Sequence, residues 1–523
     1  VRDGNTAKVS RLVYRGLYRV RGSDLQAEED LAESLHYEHD LRACIQLKDD
    51  LRFHDGRTLR AGDVAFTIRS AMDPDTGAAA GGLYRDRFTG LDLPEGPNGR
   101  SICFDLRAPV ATLKTDLVFG ILPRDTVLNP RRDPPGTGAY TVFRRDGDRG
   151  LVLKRNQPQP KAPDYLVIRT LPDENSRLLA ILSGDADLVL NGFSPSVIEI
   201  LEERPEVATQ DHASVTITYL TMNTTQGPLT KAEIRHALAL SIDRDWIVEN
   251  RFGGRADVAN GMLPKGHWAR DDTVLAIPYS PKRAGELLDK AGYPLKGDGT
   301  RFELELLTSN DRLRRLVARD LARFWKAVGI SVRVRSLEIG TLLHAIRRVQ
   351  YQMAILQLPE AIEPDMMRWM FHSLTTPVPE IRSAESPWGK QVRMFLEPGL
   401  MSLVFRNTQP ECVMWAEERW TQGIEKSARS YFEKLAREGG GNRSFWADPE
   451  LDCWLDLARR KPDLEWRKKL YSLVQARLAA DLPVLFLWHE DNIAATTAHL
   501  NNVSLSFRPD LSFVSKLRRS TTP

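Results

Sequence analysis

Leu41 to Pro74, LRACIQLKDDLRFHDGRTLRAGDVAFTIRSAMDP, sets an alternating strand, a tight turn and an amphipathic helix in one unit. Cys44, Gln46 and Lys48 alternate with Ile45 and Leu47, the period of two of a half-buried strand. Asp55-Gly56 supplies the positive φ that a tight turn needs. The spacing predicts a helix next, with Thr58 as N-cap, Ala61 at the third helical position, and Val64, Phe66, Ile68 and Ala71 on its apolar side. Asp73-Pro74 stops it, because a residue before proline is pushed out of the helical region.

This segment resembles the extracytoplasmic solute-binding proteins of ABC importers, in the branch that carries oligopeptides, dipeptides and nickel complexes. Leu51, Phe53, His54, Asp55, Gly56, Leu59, Asp63 and Val64 fall on that family's pattern. Downstream, GTGAYTV (Gly136 to Val142) with LVLKRNQ (Leu151 to Gln157) is similar to the family's GTGPYxV strand and its continuation. LLAILSGDADLVL (Leu178 to Leu190) resembles its strand-forming ALxSGxxD segment, and YLTMNTTQGPLTKAEIRHALALSIDRD (Tyr219 to Asp245) its Asn, Pro and Arg-x-Ala-Leu stretch. RAGELLDKAGYP (Arg283 to Pro294) and LEWRKKLYSLVQARLAADLPVLFLW complete a series in family order over nearly the whole chain.

Bulk composition agrees with such a protein without pointing to it. At 523 residues, two or three lobes are expected. Charged residues make up 27% and the net charge is +3, too small for its size to argue nucleic-acid or membrane-surface binding. No apolar run reaches the roughly 18 to 20 residues that span a bilayer; the longest candidate is PVLFLW at Pro483 to Trp488. By resemblance Val1 falls inside the first lobe, which implies a signal or lipid-attachment segment ahead of it and a periplasmic or membrane-anchored extracytoplasmic location.

Cys44, Cys103, Cys412 and Cys453 are too few for a disulfide framework, and no C-x-x-C pair suggests zinc. Cys103 lies on SICFDLRAP, which resembles the strand neighbouring that of Cys44. The resemblance leaves a cross-strand Cys44–Cys103 disulfide open, with free thiols as the alternative.

Strand and helix patterns alternate to about Gly340, the mark of an α/β chain. Thr300 to Ser309, the helix through LARFWKAVGI and SVRVRSLEIG form a βαβ-like unit. The resemblance implies a two-lobed α/β periplasmic-binding-protein fold (class II, cluster C-like) with a small extra domain and a hinge. The first lobe would comprise 1–37, 151–258 and 483–523, the extra domain 38–150, and the second lobe 259–482. Gly254 to Gly266 and Ala480 to Pro483 are then hinge candidates, a surface loop being the alternative for the first. A stretch at about 375–442 exceeds the family's usual length. Within it Trp415, Trp420, Ile424, Ala428, Phe432 and Leu435 recur at helical spacing before Gly439-Gly440-Gly441. Core packing is the first reading of that stripe, a lid or partner contact the second.

For the ligand, the resemblance implies an acidic residue just upstream of a D/E-P segment to hold an α-ammonium. In YQMAILQLPEAIEPDMMRWM that places Glu360 at the amine position and Glu363 next to Pro364, with Gln357 or Leu356 where a stacking Trp is usual. The departure at Gln357 argues against an ordinary peptide. Tyr14, Tyr18, Tyr219, Met222, Asn223 and Trp268 lie on segments that line the cleft in the family; aromatic rings there would sandwich a ligand.

Other pairings carry less. His36 and His39 share a helix face only if HYEHD is helical, and no third metal ligand is near. His54 reads as a turn residue bonding local backbone. His372-Ser373 and His489-Glu490-Asp491 lack the G-x-S-x-G turn and the second zincin His. No phosphate loop occurs, so the importer's ATPase would be another chain. The expectation is a monomeric, non-enzymatic protein without cofactor that binds a small solute, most simply a peptide or other amine. Its partner would be an ABC permease, with no nucleic acid, and with the membrane reached only through a lipid anchor. A ligand sensor on the same fold and a hydrolase are the alternatives.

Overall fold

The computed structural model describes residues 4–78, 81–127, 133–157, 162–375, 411–412, 414, 441–508 and 510–519. In strand Arg42–Leu47, Ala43, Ile45 and Leu47 are buried and alternate with half-buried residues, as the period of two predicts. Gly56 sits at φ +86°, the turn conformation expected. Helix Ala61–Met72 follows, but its N-cap is Arg60, not Thr58. Thr58 is held extended by a bridge to Arg52, and the carboxylate of Asp63 takes over the capping role, accepting from the Arg60 N–H at 2.7 Å.

The chain divides into two units. The first comprises 1–214, 460–462 and 492–523. It contains a four-stranded sheet in the order Ala32–His39, Arg42–Leu47, Ser101–Leu106, Phe88–Asp92. Helix Ala61–Met72 packs Val64, Ala65 and Ile68 into the same core as Ile45, Ile102 and Phe104. Leu17, Tyr18 and Leu31 join that core, so the 38–150 segment is not an apolar body of its own. Cys44 and Cys103 are direct cross-strand partners and form a disulfide. The unit also holds two three-stranded sheets, one of Tyr140–Arg145, Gly150–Arg155 and Tyr165–Arg169, the other of Leu188–Leu190, Asn492–Thr497 and Val207–His212, and two two-stranded ones, Tyr18–Val20 with Ala27–Glu29 and Leu500–Asn501 with Arg518–Arg519. The ALxSGxxD-like segment is only partly a strand. Leu178 to Leu182 close helix Glu174–Leu182, which Asp173 caps, Gly184 turns at φ +76°, and strand Leu188–Leu190 follows.

The second unit comprises 215–459 and 463–491. Its centre is a six-stranded sheet in the order Ala256–Val258, Val484–Glu490, Ile217–Met222, Met353–Leu358, Phe302–Ser309, Ile330–Leu337. The βαβ reading holds: Phe302–Ser309 and Ile330–Leu337 pair in parallel across helix Arg312–Ala327, which Asp311 caps. Apolar cores cover both faces, one around Leu304, Leu306, Leu321 and Trp325, the other around Tyr219, Leu307, Phe371 and Tyr471.

The expected boundary at 258/259 therefore moves. Ile217–Met222, Ala256–Val258 and Val484–Glu490, assigned above to the first lobe, are strands of this sheet. All six residues of Ile217–Met222 are buried; an apolar run of that kind reports cover on both faces, not which sheet provides it. The chain passes between units at Ser214/Val215, around 460–462 and at Asp491/Asn492. Gly254 to Gly266 and Ala480 to Pro483 lie inside the second unit.

Two arginines of RHALALSIDRD anchor this unit through backbone carbonyls. Arg235 donates to Leu229 O at 2.9 Å and Leu482 O at 3.1 Å. Arg244 donates to Ala259 O, Phe486 O and Ile277 O, and burial pushes its pKa down to about 10. The helix expected over 413–438 lies outside the described residues, apart from Met414. A second disulfide that sequence reading did not foresee ties Cys412 to Cys453 of helix Pro449–Ala458. Among the described residues no helix is long and apolar enough to cross a membrane.

Candidate functional site

In open α/β sheets, ligands bind beyond the carboxyl ends of the parallel strands. In the second unit that edge gathers the ends of Phe302–Ser309, Ile330–Leu337, Met353–Leu358 and Val484–Glu490 and the start of Ile217–Met222. Polar residues stand at that edge on all five: Thr308 and Ser309, Ser336, Gln357, Glu490 and Thr218. Thr218 Oγ1 donates to Glu490 Oε1 at 2.7 Å, and Gln357 Nε2 lies 3.5 Å from Thr218 Oγ1. Gln357 Oε1 accepts from Arg314 Nη2 at 2.8 Å, where Arg314 stands in the first turn of helix Arg312–Ala327. A continuous polar chain thus crosses the edge from a cation at Arg314 to an anion at Glu490. At the same edge the hydroxyls of Thr308, on the face of Gln357, and of Ser309, on the other face, are buried and have no hydrogen-bond partner among the described residues. Buried hydroxyls without partners are costly and mark places where another group is expected to bond.

On the opposite face, Glu363 forms an ion pair with Arg467, whose guanidinium lies 5.1 Å over the Trp268 ring and 5.6 Å over that of Tyr471. Burial opposes charge on Arg467, but Glu363 and Tyr471 outweigh it and hold its pKa above the ordinary value. His267 stacks on Trp268; its Nε2–H donates to Ile362 O at 2.9 Å while Nδ1 accepts from the Ala269 N–H at 3.1 Å. That tautomer is neutral, and burial pushes the pKa down to about 4.

These contacts sort the expected ligand residues. Gln357 is a member of the polar chain. Glu360 is half-buried two residues past strand Met353–Leu358, at the same edge. Glu363 and Trp268 are brought together, but as partners of Arg467. Tyr219 is 3% exposed, and its hydroxyl accepts from Arg443 at 3.4 Å. Met222 and Asn223 are closed to solvent, Met222 in the apolar core and Asn223 bonding Tyr351 O and Thr225. They sit at the far end of Ile217–Met222 from the polar edge, so their burial is structural.

In the first unit, Tyr18 is 0% exposed within the core, where Lys114 lies over its ring. Tyr14 is half-buried and donates to Pro134 O at 3.1 Å; burial pushes its pKa up to about 12.

The histidines settle similarly. His36 and His39 are on strand Ala32–His39, not a helix. His54 bonds distant rather than local backbone: Nε2 pairs with Gly138 O at 3.0 Å, and Nδ1 accepts from the Gly136 N–H at 3.2 Å. His372 is fully buried between Asp452 (3.6 Å) and Asp456 (3.4 Å). His489 is 3% exposed, and burial pushes its pKa down to about 3. Sequence reading missed Arg314, Thr218, Thr308, Ser309 and Glu490. Their one legible signal is a polar residue closing an apolar strand, as in LLTS and FLWHE.

These features define an α/β protein of the two-lobed extracytoplasmic binding-protein fold. Residues 26–376 match the family of bacterial extracellular solute-binding proteins, family 5 (middle region), and the chain belongs to that family. It is 26% identical over 355 residues to heme-binding protein A of Haemophilus influenzae, a match covering 61% of this chain and 64% of that protein. To the glutathione-binding protein GsiB of Pectobacterium atrosepticum it is 22% identical over 515 residues, 95% of this chain and 87% of the relative. The structure of NikZ from Campylobacter jejuni in complex with Ni(L-His) superposes with a TM-score of 0.73 at 21% identity, covering 99% of this chain and 96% of that one.

Proposed function

We propose that this protein captures a small solute at the carboxyl edge of the second unit's sheet and delivers it to the permease of an ABC importer outside the cytoplasm. The observation that carries the site is the chain Arg314, Gln357, Thr218 and Glu490 at the edge that also holds the partnerless hydroxyls of Thr308 and Ser309. A cation, an anion and neutral donors within one edge suit a zwitterionic solute with both carboxylate and amine. Relatives named for glutathione and heme, and a neighbour holding Ni(L-His), are in keeping with carboxylate-bearing ligands.

Glu360 is the acidic group assigned to a solute ammonium, because it is half-buried at the same edge, two residues past strand Met353–Leu358. A solute that binds one arrangement of the two units better than another shifts the population toward it, and the permease reads that state. The protein acts in this reading as a monomer, by binding without turnover.

Native mass spectrometry of the purified protein, followed by denaturation and identification of what is released, tests this. A carboxylate-bearing amine, rebound by the wild type and lost in Gln357→Ala, supports the reading. A solute whose binding ignores substitution of Gln357, Thr218 and Glu360 overturns the site.

A further inference from the structure

The outer face of the first unit's four-stranded sheet carries a row of metal-ligating residue types. Register places His36 opposite Cys44, Cys44 opposite Cys103, and Cys103 opposite Asp92, one residue from each strand. Residues directly opposite one another on antiparallel strands point to the same side and lie within about 5.5 Å. Their neighbours Leu35, Ile45 and Ile102 pack on the other side, in or against the core. Glu38 joins the row through a bulge in strand Ala32–His39, setting Oε1 3.3 Å from Cys44 Sγ. The two sulfurs and the Glu38 carboxylate all lie within 4.8 Å of one another, the only such group of three among the described residues. Glu38 and His36 are exposed, Cys44 is half-buried and Cys103 is buried at 1% exposure, so solutes reach the row from the side of Glu38 and His36.

While the sulfurs are bonded to each other they cannot act as thiolate ligands. We propose that reduction of the Cys44–Cys103 disulfide converts this row into a site for a divalent cation of the zinc class, held by the two thiolates, Glu38 and His36. A dithiol reductant supplies the two electrons: the S–S bond breaks, the dithiol closes to its own disulfide, and its two protons end on Cys44 and Cys103. The cation then displaces both protons as it binds. With Zn–S bonds of about 2.3 Å, tetrahedral thiolates stand roughly 3.8 Å apart, a separation that cross-strand cysteines reach by side-chain rotation. Two thiolates and a carboxylate leave one negative charge beyond that of the cation. Arg42 stands over it, 2.9 Å from Glu38 Oε2 and 2.6 Å from both Asp92 and Asp105. Since Arg42 bonds the Oε2 atom, Oε1 is the oxygen that turns toward the sulfurs.

The test uses the whole chain, treated with dithiothreitol, desalted without oxygen, and titrated with Co²⁺ and then Zn²⁺. Reduced protein is expected to bind one equivalent of Co²⁺ with thiolate-to-cobalt charge-transfer absorption that Zn²⁺ abolishes; the oxidised protein shows no such band. The double substitution Cys44→Ser and Cys103→Ser, which keeps the Cys412–Cys453 pair, is expected to lose the signal. Glu38→Gln, at an exposed position, retains both thiols and weakens binding at least about tenfold, the lower end of what even outer partners of a metal cost. The proposal is overturned if dithiothreitol leaves the Cys44–Cys103 bond intact in the folded protein. It is equally overturned if reduced wild type binds no cobalt, or if either variant binds as well as wild type.

Discussion

Arg314 and Gln357 meet at 2.8 Å, joining the first turn of a helix to the penultimate residue of strand Met353–Leu358. The contact fixes a long cationic side chain at the edge where parallel strands end. It also leaves the amide nitrogen of Gln357 directed at Thr218, so that the two charged ends of the polar chain are linked through neutral groups.

Replacing Gln357 with Ala cuts that chain in its middle. The expected outcome is at least a tenfold loss of solute affinity, about 1.4 kcal/mol, with a urea midpoint close to wild type because Gln357 is only half-buried. Calorimetric titration with the identified solute and a denaturation curve on the same preparation check both halves.

Removing one member of the Glu363–Arg467 pair leaves the other buried without its main partner. The Arg467 side chain is 4% exposed and that of Glu363 20%. Glu363→Ala is therefore expected to cost roughly 3 to 5 kcal/mol of stability, read by urea unfolding, whereas the pair replacement Glu363→Leu with Arg467→Met recovers much of it.

His267 stays neutral in the folded protein down to about pH 4, against an ordinary value of 6.5. The unfolded chain binds more protons between these values, so this contribution is complete above about pH 6.5 and is lost as the pH falls toward 4, roughly 3 kcal/mol in all. Asp448 works in the opposite sense, since burial raises its carboxyl to about 6. Comparing wild type with His267→Gln isolates the histidine: the variant should lose less stability between pH 7 and pH 4.5.

His54→Ala removes both side-chain bonds to the Gly136–Gly138 loop. A loss of about 1 to 3 kcal/mol is expected for a buried donor and acceptor left without partners. Gly138→Ala should be at least as damaging, because its Cβ would stand 2.2 Å from the carbonyl oxygen of Leu12. Thermal unfolding of both variants measures this.

The Cys412–Cys453 bridge spans 41 residues. Chain-entropy reasoning assigns such a loop up to about 4 kcal/mol. Cys453→Ser should lower stability toward that limit and expose the residues near Cys412 to limited proteolysis.

The contact of His54 with the glycine loop shows what was legible in the sequence and what was not. FHDG and GTGAY both stood out as motifs, and strand, turn and helix around the first were readable from period and turn chemistry. That the two motifs are one contact could not be read, since nothing local links residues 54 and 136. The same holds for the sheet of the second unit. Its βαβ part, Phe302 to Leu337, is local and was recognised. Ile217–Met222 and Val484–Glu490 were recognised as apolar segments yet assigned to the wrong lobe, because burial on both faces says nothing about the identity of the neighbour. At the proposed site, Gln357 and Glu360 were singled out through a motif next to Pro364. Thr218 depends on register between distant strands and Arg314 on how a helix packs over them, and Met222 lies one strand length from the polar edge.

Val484–Glu490 lies between Ala256–Val258 and Ile217–Met222 in the sheet, although it is the last of the six strands to be made. At ribosomal speeds of about 5 to 20 residues per second, the interval between synthesis of Met222 and Val484 is on the order of tens of seconds. Throughout it the sheet lacks an interior member, and Ile217–Met222, buried along its whole length in the folded protein, has a flank unpaired. A newborn chain in that condition cannot complete the sheet until its interior strand has been made, so the order of strands in space holds back the folding of the second unit until nearly the whole chain has been synthesised.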